Sequence, residues 1–230
     1  MEDIERIIRD PYDDVKISLL ISSKSYEDFL KLYNNLLSTS HGIKHIEVLV
    51  KIDDSDERYL RMLENSPFQF KILSYPSYNK VYSNHVFFND LCKISSGKLI
   101  WPLYEDCSII KGDWYQCLNE YVDNNLYKDN IFNIAIPMDN GKGCKQICGA
   151  NIITREWFNF FGTVSPFPNL DRWLFELSRK VGRYIGVSEG KLLSHFPKGH
   201  RTLSKKQRKE LFYPSLEEYI NKFKKNKVCR

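Results

Sequence analysis

Two neighbouring carboxylates, Glu105 and Asp106, close the segment Gly97 to Cys107, which reads GKLIWPLYEDC. Adjacent hard oxygen ligands suit Mg²⁺ or Mn²⁺ holding a diphosphate, provided that a strand delivers them to a ligand crevice. Leu99, Ile100, Trp101 and Leu103 have the content of a buried strand, and Gly97 supplies the turn before it. A solvated acidic turn would carry the same two acids. A second apolar run, Ile46 to Ile52, ends in Asp53, Asp54, Ser55 and Asp56, so a strand again delivers carboxylates. Asp171 stands at the start of DRWLFELSRKVG, where an aspartate is either a helix cap or a group aimed at a site.

The elements that must position these acids alternate. Val15 to Ser22 reads as a buried strand, and Tyr26 to Ser38 as a helix with Phe29, Leu32, Tyr33, Leu36 and Leu37 on one face. Ser25 with Asp28 forms a start resembling a capping box. A strand over Ile46 to Ile52, a short helix near Glu57 to Glu64, a strand over Phe68 to Ser74 and a helix around Ser83 to Ile94 precede the acidic strand. That order predicts an α/β fold with a mostly parallel, Rossmann-like central sheet and right-handed crossovers. Beyond it, Trp114 to Asn124 reads as a helix, Asn130 to Pro137 and Gln146 to Thr154 as strands, and REWFNFFG as a short aromatic helical turn. A helix from Asp171 and a short strand at Tyr184 to Val187 follow. The expected organisation is a leader over 1–14, helical or irregular, one domain over 15–196 and a basic helical extension over 197–230. Pro214 should split that extension.

Composition narrows the class. The chain has 230 residues, 42% hydrophobic and 27% charged, as in a soluble globular protein, with no run long enough to span a membrane and no signal-peptide pattern at its start. A cytoplasmic protein is the expectation. Six cysteines form no CxxC pair and no His-rich cluster, which favours free thiols over disulfides or zinc. From Lys198 onward there are eleven Lys and Arg against three Glu, while the rest of the chain has a slight acidic excess. The basic tail could meet an anionic membrane surface; the acidic balance of the core argues against nucleic acid as partner.

The order of motifs resembles the family-2 glycosyltransferases of the GT-A fold over about residues 15 to 196. Their opening strand and helix resemble KISLLISSKSYEDFLKLYNNLL, their second acidic strand end VLVKIDDSDE, and their DxD strand end GKLIWPLYEDC. A later strand running into an arginine, an aromatic and a glycine resembles CGANIITREWFNFFG, and an acid opening a helix resembles NLDRWLFELSRKVG. The resemblance implies Asp53 or Asp54 as contacts to the base or ribose of a nucleotide. It implies Asp106, with Glu105, and a late ligand at His195, as holders of Mn²⁺ or Mg²⁺ on the donor diphosphate, and Asp171 as catalytic base. The partners implied are a nucleotide-sugar and a glycan, lipid or protein acceptor. Two departures stand out: Tyr104 occupies the first DxD position, and Asn169 and Leu170 precede Asp171 where the family has a second acid. They keep open a degenerate GT-A domain that binds a glycan or partner without turnover. A nucleotidyltransferase is a further alternative, although SSKSYED lacks the glycine-rich phosphate loop that it would need.

Overall fold

Leu19 and Leu20 are neighbours in sequence and lie on opposite faces of a sheet, and the layering follows from that alternation. In the computed structural model, which describes residues 6–7, 17–40, 45–53, 56–75, 84–110, 112, 114–124, 127–139, 145–187, 193–195 and 204–228, ten strands form one sheet. The first half of the chain runs β1 (Arg6–Ile7), β2 (Ile17–Ser22), α1 (Tyr26–Thr39), β3 (Ile46–Asp53), α2 (Glu57–Glu64), β4 (Gln69–Tyr75), α3 (Asn84–Ile94), β5 (Leu99–Tyr104) and β6 (Cys107–Ile109). The second runs α4 (Trp114–Asp123), β7 (Asn133–Asp139), β8 (Lys145–Thr154), α5 (Arg155–Phe161), α6 (Leu170–Lys180), β9 (Tyr184–Gly186), β10 (Leu193–His195), α7 (Lys205–Gln207), a π-helical turn (Arg208–Phe212) and α8 (Tyr213–Val228).

Spatially the order is β1-β4-β3-β2-β5-β8-β7-β10-β6, with β9 beside β7. The four central strands β4, β3, β2 and β5 are parallel, while β8 joins β5 and β7 antiparallel. Ile17, Leu19 and Ile21 face a core shared with α1, α2 and α4, through Phe29, Leu32, Tyr59 and Trp114. Leu20, Leu49 and Ile100 face the other, formed with Phe88 of α3, Trp157 of α5, Trp173 of α6 and Leu216 of α8. Because β2 is covered on both sides, all six of its residues are buried.

The chain walks from β2 to β3 and β4 on one side, then crosses to β5 on the other. The strand order therefore reverses between β2 and β5, and the crevice outside their carboxyl ends is where such sheets bind ligands. At the opposite end of the same strands, the fully buried Glu47 accepts hydrogen bonds from Ser18 Oγ, from the Ser96 amide and hydroxyl and from the Gly97 amide, with Lys71 Nζ at 3.7 Å. A Cβ on Gly97 would lie 2.6 Å from the Ser18 backbone nitrogen, so glycine alone fits there.

Three expectations change. Arg6–Ile7 of the leader is a strand, pairing antiparallel with β4 through Ile72 and Lys71. The short strands β6 and β10 pair with each other and were not anticipated. Pro214 does not split the tail: one helical run continues from Lys205 to Val228, with a π turn at 208–212. The missing Pro214 N–H and its ring's clash with the carbonyl four residues back are absorbed by that wider turn. The apolar face of the run is already docked, since Phe212 packs on Trp173 and Phe167, and Phe223 on Phe160 and Phe161.

Candidate active site at the ends of the parallel strands

Glu105 and Asp106 leave β5 in a tight turn before β6, and their partners lie in different places. The Glu105 carboxylate turns to the β2–α1 connection, where one oxygen, Oε2, accepts from Ser23 Oγ at 2.8 Å, the Lys24 amide at 2.8 Å and the Ser25 amide at 3.2 Å. Ser23 is buried, and its hydroxyl is also 2.7 Å from the Tyr59 hydroxyl of α2. Burial pushes the Tyr59 phenol up to about 12, and the Glu105 charge adds to the shift.

Asp106 belongs to a second group. Its charge acts on the Tyr104 phenol and the Cys107 thiol, and Asp171 acts on the same two groups from the start of α6. Burial first, then the charges of Asp171, Cys107 and Asp106, hold Tyr104 well above 10. Tyr104 is therefore a neutral phenol, packed edge-on against Phe88 of α3 at 5.6 Å. Asp171 is the second residue of α6, preceded by the N-cap Asn169, which makes no side-chain cap bond. Its carboxylate caps nothing, and burial pushes it up from 3.8 to about 8. The acid at the start of α6 and the acid at the end of β5, 65 positions earlier in the chain, thus both act electrostatically on Tyr104 and Cys107.

A buried polar ladder sets the position of α6. Asn133 of β7 donates through Nδ2 to Asn151 Oδ1 of β8 at 2.7 Å and to Ser178 Oγ of α6 at 3.1 Å, and Asn151 Nδ2 donates to the Asp171 carbonyl at 3.2 Å. Asp171 and Ser178, seven residues apart, fall on one helix face, and that face is fixed to the sheet. His195 lies in β10, opposite Cys107 in the antiparallel register. The fold thus brings its backbone next to that of Asp106, although 89 positions separate the two residues in sequence.

Asp53 ends β3 and pairs with Lys51 Nζ, whose side chain is 4% exposed against 40% for the carboxylate, and Lys51 also lies 4.5 Å from the Phe87 ring centroid. Asp54 lies outside the described residues. Among the described residues no three His, Cys, Asp or Glu side chains converge as a metal-binding group. The described thiols Cys92, Cys107 and Cys117 are not in disulfides, and burial pushes Cys92 up to about 12.

Sequence reasoning missed Lys51, Tyr59 and the role of Arg155. The Arg155 guanidinium donates to the carbonyls of Cys92 at 3.0 Å, Ser95 at 2.8 Å and Gly97 at 3.3 Å, and so fixes the turn that starts β5. A lysine inside the apolar run IEVLVKID was the one available signal for Lys51.

A three-layer α/β sheet with acids gathered beyond a strand-order reversal has the architecture of the GT-A glycosyltransferases, and solved structures bear out this fold. Staphylococcus aureus TarS 1-349 superposes with a TM-score of 0.62 at 14% identity, covering 79% of this chain and 60% of that one. The same protein in complex with UDP-GlcNAc gives 0.63 at 14% identity, with 89% and 65% covered. The mannosyltransferase PcManGT from Pyrobaculum calidifontis, in complex with GDP-Man and Mn²⁺, gives 0.61 at 9% identity, with 83% and 62% covered. The chain thus spans under two thirds of the length of these neighbours. No protein-family model matches it, and neither does any curated protein.

Proposed function

We propose that the chain transfers a sugar from a nucleotide-sugar donor to an acceptor hydroxyl of a glycan, lipid or protein. The observation that carries this reading is the strand-order reversal between β2 and β5, with Asp106 just past the end of β5 and Asp171 at the start of α6 both acting electrostatically on Tyr104 and Cys107. A nucleoside diphosphate leaves as the acceptor oxygen attacks the anomeric carbon, and Asp171 takes the acceptor proton. Burial makes Asp171 a stronger base than an ordinary carboxylate. The ligands in the complexes of the fold neighbours, UDP-GlcNAc for TarS and GDP-Man with Mn²⁺ for the mannosyltransferase, agree with the donor class.

One carboxylate suffices for a cation that completes its shell with substrate phosphates and water, so Asp106, with His195 on the strand paired beside Cys107, is assigned to a Mn²⁺ or Mg²⁺ site. When bound, that ion neutralises charge on the leaving diphosphate. Asp53, held by Lys51, and Asp54 are assigned to the nucleoside. A second reading, binding without turnover, is favoured by the neutral phenol of Tyr104 in place of a carboxylate.

The test is a thermal-shift series with UDP and GDP, with and without Mn²⁺, on the wild type and Asp106→Asn. Stabilisation of the wild type that needs Mn²⁺ and is lost in the variant is the expected result. Equal stabilisation of both proteins overturns the assignment of the metal to Asp106. No stabilisation of the wild type by any diphosphate overturns the donor reading.

A further inference from the structure

The neighbouring acids of the YED motif have separate tasks, and the partners of Glu105 show which task it has. Three donors from consecutive residues, Ser23 Oγ and the Lys24 and Ser25 amides, converge on its Oε2. Ser25 is the N-cap of α1, so the carboxylate also sits at the positive end of that 14-residue helix. The bonds span the gap between the ends of β2 and β5, and through the Ser23 hydroxyl the tie continues to Tyr59 on α2. We propose that Glu105 is a positioning residue that fixes the β2–α1 turn as one wall of the nucleotide crevice, while Asp106 is left as the carboxylate of the metal site.

The proposal rests on the donor reading above and deepens it. The ladder between β2 and β5 ends at Ser22 opposite Tyr104, and just beyond it a side-chain tie joins the two loops that flank the crevice. Glu105 supplies it, since a carboxylate accepting two amides and a hydroxyl makes a stronger tie than a neutral acceptor would. That wall of the crevice then stays in place whether or not a cation is present, and nucleotide affinity depends on Glu105 in metal-free buffer as well.

The experiment compares Glu105→Ala and Glu105→Gln with the wild type in three measurements on the full chain. These are Mn²⁺ binding alone by loss of the free-ion paramagnetic signal, UDP and GDP binding by calorimetry in EDTA and in Mn²⁺, and hydrogen exchange at the Lys24 and Ser25 amides. Glu105→Ala should leave Mn²⁺ affinity within about twofold, weaken diphosphate binding by about tenfold both with and without metal, and speed exchange at both amides by at least about tenfold. Glu105→Gln keeps an acceptor oxygen at the same reach and should recover most of the nucleotide affinity. Loss of Mn²⁺ binding in both variants, with unchanged metal-free nucleotide binding, would make Glu105 a metal ligand and overturn the proposal. Unchanged exchange at Lys24 and Ser25 in Glu105→Ala would overturn it as well. If the wild type binds neither diphosphate, the donor reading falls, and amide exchange alone still decides whether the tie exists.

Discussion

Asp171 has two properties that pull against each other. Its carboxyl, pushed up to about 8 by burial, is more readily neutral in the folded chain than in the unfolded one, where 3.8 is the ordinary value. The folded state therefore holds this proton over a range in which the unfolded state has lost it, and stability falls as pH rises from about 4 to about 8. Asp171→Asn removes that dependence. The variant should melt higher than the wild type by a margin that widens up to pH 8 and then levels off, while it binds nucleoside diphosphate and loses turnover of the nucleotide-sugar. A margin that does not change with pH would show that the carboxyl titrates normally. On the proposed function, wild-type turnover should rise with pH toward 8, because Asp171 acts as base only when ionised. Gly97 answers to sterics instead. Its replacement by alanine drives a methyl into the Ser18 backbone and should cost about 1–3 kcal/mol by urea denaturation.

At the scale of elements, the sequence was most legible where apolar runs are buried on both faces. The strands β2, β3 and β5 are such runs, and Asp53, Glu105 and Asp106 lie at their ends. The helix α1 was legible as well, with Ser25 as its cap accepting from the Asp28 amide at 3.3 Å. The direction of Glu105 was not, because it is decided by a turn 82 residues away. Nor was β10, whose three residues carry no apolar pattern and are placed by backbone bonding to β6 and β7. The tail shows a third case. Its helical spacing was visible, but which surface its apolar face meets is decided by aromatics of α5, α6 and the loop between them. Phe212 is fully buried among Phe167, Trp173 and Tyr213. Phe212→Ala should therefore destabilise the whole chain by about 3–5 kcal/mol in chemical denaturation. A loss well under 1 kcal/mol would mean that the helix contributes little to the fold. Near its end α8 leaves Asn221, Lys222, Lys224, Lys225 and Asn226 exposed. No helix among the described residues is long and apolar enough to cross a membrane.

At the scale of the molecule, the candidate site draws on β2, β3, β5, α6 and β10, and two of its acids, Glu105 and Asp106, share a single turn. The reversal of strand order that creates the crevice also fixes when it can exist. β3 and β4 can settle beside β2 through short local steps, whereas β5 reaches β2 only after α1, β3, α2, β4 and α3 have been enclosed between them, with Ile17 opposite Leu99. Such long-range pairings form slowly. The crevice is thus a seam between an early part of the chain and a late one, and partly folded chains have no half-built version of it. In refolding from urea, binding of a nucleoside diphosphate should return only with the slow phase that buries Trp101 of β5 against Trp114, well after most helical signal is restored. A newly made chain, on the proposed function, stays blind to a nucleotide-sugar until the last central strand is in place.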